Sequence, residues 1–152
     1  MTRPGRLWLL VGGWLSALAA LLHLGVIIGG PAWYRFFGAG EDMAVGAEQG
    51  SWIPPLVTLS IAAILAVWAA YAFAGAGSIR RLPLLRTALV LISGIYLARA
   101  LILVPIVLLY PHARSAVGPF DFWSSAIVLV YGVAYAAGTW LAWPTLSQRK
   151  IA

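Results

Sequence analysis

An all-α membrane protein with four spanning helices is the fold this sequence predicts, and three observations predict it. The chain has 152 residues, 62% hydrophobic and only 9% charged, whereas a soluble domain is close to a quarter charged. Its apolar residues gather into four runs, each near or above the length a bilayer crossing requires. Clusters of Gly and Pro separate those runs. A mean hydropathy of +0.93 leaves too little polar surface to coat a water-facing globule. Composition therefore excludes a disordered tail, a nucleic-acid-binding module and a secreted disulfide scaffold.

The first run, 7–29, is about 23 residues long, enough to cross a core of about 30 Å at 1.5 Å per residue. Arg3 and Arg6 precede it and Ala17-Leu18-Ala19 lies within it, a pattern shared with signal peptides. The apolar run continues well past that point, so an uncleaved helix is expected. Runs 54–75, 84–110 and 123–143 complete the set, giving one integral membrane domain over 1–152. None alternates apolar and polar residues as a barrel strand would. The breakers are Gly29-Gly30-Pro31, Pro54-Pro55, Gly75-Ala76-Gly77 with Pro83, and Pro111 with Pro119. The connection 30–53 is the longest, and 40–49 has room for a short helix with Glu41 and Asp42 in its favoured first turn.

Basic residues set the expected orientation. Arg3, Arg6, Arg80, Arg81, Arg86, Arg149 and Lys150 lie on one side of the spans, against Arg35 and Arg114 on the other. Seven against two places both termini in the cytoplasm of a multi-pass protein, with a bacterial inner membrane as the expected location. All four acids, Glu41, Asp42, Glu48 and Asp121, then fall on the outer side. Trp8, Trp140 and Trp143 mark the cytoplasmic boundary; Trp33, Tyr34, Trp52, Tyr110 and Trp123 mark the outer one. The net charge of +6 would suggest nucleic acid in a soluble chain. Here it reflects topology, and no nucleic-acid partner is expected.

Helices in lipid associate through small residues and polar contacts. Gly12, Ser16, Ala19, Ala20 and His23 form such a face on the first span. Thr58, Ala62, Ala66 and Ala69/Ala70 do so on the second, and Ser125, Gly132, Ala136 and Thr139 on the fourth. These faces predict a compact four-helix bundle and are compatible with a homo-oligomer.

Arg99 is the residue that neither topology nor packing accounts for. It lies about fifteen residues in from Leu84 and eleven from Tyr110, near the midplane and beyond easy snorkelling reach. A central Arg costs about 2.5–3.5 kcal/mol on insertion scales, so a partner or a wet cavity must offset it. Tyr96 shares its face, and Pro105 frees the Leu101 carbonyl, predicting a kink just outside Arg99. His23, Thr58, Tyr131 and Ser124 are expected at depths on the outer half, with Glu48 or Asp121 able to fold down onto Arg99. The cytoplasmic half reads as almost purely apolar. The candidate ligand-binding set is Arg99, His23, Tyr96, Tyr131, Thr58, Glu48 and Asp121.

Other chemistry lacks its residues. The chain has no Cys and only two His, His23 and His112, with no His–acid spacing of a metal pair. P-loop, GxGxxG, GxSxG and HExxH motifs do not occur, so no cofactor and no metal are expected. The architecture, four helices with both ends inside, resembles DoxX-like small bacterial membrane proteins and emopamil-binding-like isomerases. The isomerases use intramembrane acids, and no predicted span here holds one.

The expected function is therefore binding or carriage of a membrane lipid or another amphipathic, anionic small molecule in an outer-facing polar pocket. Arg99 would hold the head, a role suited to its planar fork, while His23 and Tyr131 would orient it. The alternatives are a small membrane enzyme acting on a lipid or quinone-like substrate, with His23 as acid–base, and a non-catalytic accessory subunit.

Overall fold

The computed structural model describes residues 2–109, 112 and 117–146. Among these residues the chain is helix and turn without strand: α1 (Arg3–Phe36), α2 (Glu41–Glu48), α3 (Ile53–Gly75), α4 (Leu85–Leu101), α5 (Leu103–Leu109) and α6 (Pro119–Leu146). Four stretches are long and apolar enough to cross a membrane: Arg3–Phe36, Ile53–Gly75, Leu85–Leu109 and Phe120–Leu146. Helices suit such segments because every backbone group inside them is satisfied without water. Tyr110, Pro111, Arg114, Arg149 and Lys150, which carry boundary, breaker or topology roles in the sequence, lie outside the described residues.

The proline and glycine signals act more locally than a full break at each. Gly30 adopts φ 64° and ψ −152°, and the chain resumes as helix at Pro31, so α1 is kinked there and runs on to Phe36. That positive φ is open to glycine at little cost, and Pro31 suits the first residue of a restarted helix. Pro54 and Pro55 sit in the first turn of α3, where missing N–H groups have no helical partner to lose. Pro119 opens α6 in the same way, and α6 continues through Pro144 to Leu146. Pro105 cannot donate to the Leu101 carbonyl, and the helix is interrupted at Ile102 between α4 and α5. Segment 40–49 forms α2, with Glu41 and Asp42 in its first turn.

Packing divides the chain into two units, Met1–Gly13 with Ala70–Ala152, and Trp14–Ala69. In the first, the start of α1 lies against α6. Thr2 Oγ1 donates to the Leu141 carbonyl at 3.0 Å. A Cβ at Gly138 would stand 2.9 Å from the Leu9 backbone nitrogen, so only glycine allows this approach. Likewise a Cβ at Gly132 would stand 2.8 Å from Leu97 Cδ2 and 3.1 Å from its backbone nitrogen, which brings α4 and α6 into close apposition. Leu9, Leu89, Ala134, Tyr135 and Ala142 are fully buried.

In the second unit, the connection after α1 folds upon itself. Val26, Tyr34 and Ala44 form a small core against which Phe37, Met43 and Ala47 pack. Trp33 and Phe36 both meet the Phe37 ring, with centroids 5.6 and 4.9 Å away. Packing of Met43, Ala44 and Ala47 against Val26, Tyr34 and Phe37 holds α2 in place despite its short length, since eight residues would be marginal as an isolated helix.

Candidate functional site

The seam between α4 and α6 carries polar groups at both ends and aromatic rings between them. Toward the end of α4, Arg99 Nη1 donates to Ser125 Oγ at 3.3 Å. The side chain is exposed, and both ion pairs among the described residues belong to Arg35. Arg99 sits in the last turn of α4, where the helix dipole favours a cation by about 0.3–1 kcal/mol. One long hydrogen bond and that dipole barely match an insertion cost of about 2.5–3.5 kcal/mol. No described carboxylate neutralises the charge.

One turn before Arg99, the buried Tyr96 ring lies 5.4 Å from both Tyr131 and Tyr135 on α6, tilted by 54° and 46°. Offset, tilted rings at this distance attract one another. They form an aromatic cluster one turn before Arg99 on α4, and Gly132 lets the helices approach there by admitting Leu97. Arg99, Tyr96 and Tyr131, all expected at the site, are thus brought together within one unit, and Ser125 joins them.

The other expected residues have local partners. Glu48 pairs with Arg35 at 2.6 Å, and Glu41 takes the same guanidinium in a bidentate pair whose shortest contact is also 2.6 Å. Hydrogen bonds from Arg35 hold both carboxyls below the usual carboxylate range. Asp121 Oδ2 accepts the Gly118 N–H at 2.9 Å and so caps the start of α6. Of the two acids expected to reach Arg99, one is engaged by Arg35 and the other by the backbone.

Thr58 Oγ1 donates to the Pro54 carbonyl at 2.8 Å and lies 3.2 Å from the Tyr34 hydroxyl. A hydroxyl has one proton, so the Tyr34 O–H donates to Thr58. His23 Nδ1 lies 2.7 Å from the Ala19 carbonyl. A carbonyl only accepts, so Nδ1 carries the proton in this contact.

At the opposite end of the same seam, an open-sided groove of about 580 Å³ is lined by Val90, Ser93, Ala136, Thr139, Trp140, Trp143 and Pro144. Arg86 stacks on Trp143, its guanidinium carbon 3.7 Å from the ring centroid. Two hydroxyl-bearing residues, Ser93 and Thr139, line this groove. Arg86 and Trp143 are far apart in sequence, and no spacing rule could have joined them.

Comparison with protein families, with characterised proteins and with solved structures found no match to this chain. The site's own chemistry is what carries a functional reading.

Proposed function

We propose that this chain is a small polytopic membrane protein that binds or carries an amphipathic, anionic, lipid-like molecule through Arg99. The observation that carries the reading is an arginine ten positions inside a 25-residue apolar stretch, with a serine as its partner and no described carboxylate. An anionic head group would supply the missing charge, and the fork of Arg99 suits phosphate or carboxylate. Tyr96 and Tyr131 would flank that head, and the apolar helix faces would take its tail. Seven basic residues on one side of the spans against two on the other support a multi-pass inner-membrane protein with both termini in the cytoplasm. Arg99 then lies toward the outer leaflet.

Thermal unfolding of the full chain in mild detergent tests this. A ligand at 100 times its Kd stabilises by about 2.7 kcal/mol. Phosphatidylglycerol should raise the wild-type midpoint more than phosphatidylcholine does, and Arg99→Met should lose most of that difference. An Arg99→Met midpoint that responds to phosphatidylglycerol as fully as wild type would overturn the reading.

A further inference from the structure

At the far end of the α4–α6 seam, we infer a second lipid site: the groove beside Arg86 seats one anionic glycerophospholipid. Its phosphate lies on Arg86, an ester carbonyl on Thr139 and an acyl chain along Val90 and Trp140. The inference stands independently of the Arg99 reading.

Three observations carry it. First, Arg86 is a cation with no carboxylate partner among the described residues. Among the described residues its Nε is buried with no hydrogen-bond partner, and its guanidinium carbon stands 3.7 Å from the Trp143 ring centroid. Arg86 also occupies the first turn of α4, where the dipole disfavours a cation and welcomes an anion. The helix begins at Leu84 with no side-chain cap, so its first-turn N–H groups would add to the attraction.

Second, Thr139 is only 4% exposed, lines the groove, and its Oγ1 has no hydrogen-bond partner. A mid-helix threonine ordinarily satisfies its hydroxyl on a carbonyl one turn back. An unmade bond in an apolar setting costs about 1–3 kcal/mol, and an acceptor in the groove removes that cost. Ser93, in contrast, is already bonded to the Leu89 carbonyl at 2.7 Å.

Third, the order of groups matches one class of molecule. Thr139 lies four residues from Trp143, about 6 Å along the helix, so the hydroxyl sits one turn deeper than the stacked guanidinium. Val90 and Trp140 lie at about the depth of Thr139, and Ala136 lies about one turn deeper. A cation at the mouth, with a hydroxyl and apolar side chains one turn deeper, suits a glycerophospholipid, whose phosphate is followed by ester and acyl chain. A groove of about 580 Å³ is within the usual size of ligand sites.

The test is native mass spectrometry of the full chain in mild detergent, in an Arg99→Met background so that the other site does not contribute. Phosphatidylglycerol, phosphatidylcholine with the same chains, and inorganic phosphate are titrated separately. One surface arginine discriminates by about 1 kcal/mol, so phosphatidylglycerol should bind about fivefold tighter than phosphatidylcholine. Arg86→Gln should erase that preference. Val90→Trp, at a half-exposed position that tolerates bulk, should weaken both lipids by filling the groove, and it carries the test should Arg86→Gln fold poorly. Inorganic phosphate should not displace the lipid. Equal binding of both lipids, or phosphatidylglycerol binding unchanged in Arg86→Gln and Val90→Trp, overturns the inference. Full displacement by free phosphate also overturns it and leaves an anion site without lipid character.

Discussion

Arg35 and Arg99 each take a partner from a second helix, but the partners differ in kind. Arg35 meets two carboxylates from α2, and its contacts to both are as short as 2.6 Å. Arg99 meets one serine at 3.3 Å. The cation near the end of a span is saturated, while the one well inside an apolar span is not. Exposed pairs such as those of Arg35 contribute little to stability, yet they tie the last turn of α1 to both ends of α2. A charge well inside an apolar span needs compensation most. Where the protein supplies compensation at the cheaper position and withholds it at the costlier one, the missing anion is expected to come from outside the chain.

The comparison is sharpened first by the stiffness of the seam that holds Arg99. Gly138→Ala sets a Cβ against the Leu9 backbone, which cannot move aside as a side-chain tip would. Denaturant unfolding in micelles should show a loss of about 1–3 kcal/mol. No loss would mean that the seam can shift and that Arg99 can find new partners within the protein.

A smaller effect is expected in the other unit. Thr58→Val removes the hydroxyl that accepts from buried Tyr34, and should cost about 1 kcal/mol in the same measurement. If it costs nothing, the Tyr34–Thr58 contact does not help to hold the region around Arg35.

Arg99→Met should change the stability of lipid-free protein by less than about 1 kcal/mol, because the insertion cost removed is close to the serine bond and dipole lost. A drop of about 3–5 kcal/mol, as when a buried pair is broken, would give Arg99 a purely structural role.

The smallest effect is acid sensitivity. Hydrogen bonds from Arg35 depress the Glu41 and Glu48 carboxyls in the folded state. A depressed value stabilises the fold fully above the unfolded carboxylate value of about 4.3 and is lost as pH falls through the folded one. Amide protection in α2, corrected for the intrinsic pH dependence of exchange, should therefore fall below about pH 4 while protection in α4 holds steady. An equal fall in both helices would show that the Arg35 cluster is not what orders α2.

How much of this was legible in the sequence depends on the range of the interaction. The four apolar stretches follow from runs of Leu, Ile, Val and Ala, and the short helix at Glu41–Glu48 from two acids after a glycine. The interruption at Ile102 follows from one proline three residues on. Prolines in first turns, such as Pro54 and Pro119, look identical in sequence to prolines that end helices, so the spans ran longer than their breakers implied. Partner choice was not legible. Glu48 is bound by Arg35 because the connection doubles back on the Tyr34–Ala44 core, a tertiary event with no periodic signature. The Arg99–Ser125 and Arg86–Trp143 pairs depend equally on how α4 and α6 meet.

Lipid mass spectrometry on wild type, Arg99→Met and Arg35→Met, each purified alike from the same membranes, separates the two arginines most cleanly. Arg99→Met should carry less anionic lipid per protein than wild type, and Arg35→Met should carry the wild-type amount. Equal retention in all three, or a loss confined to Arg35→Met, would contradict the assignment of Arg99 as the cation that awaits an external anion.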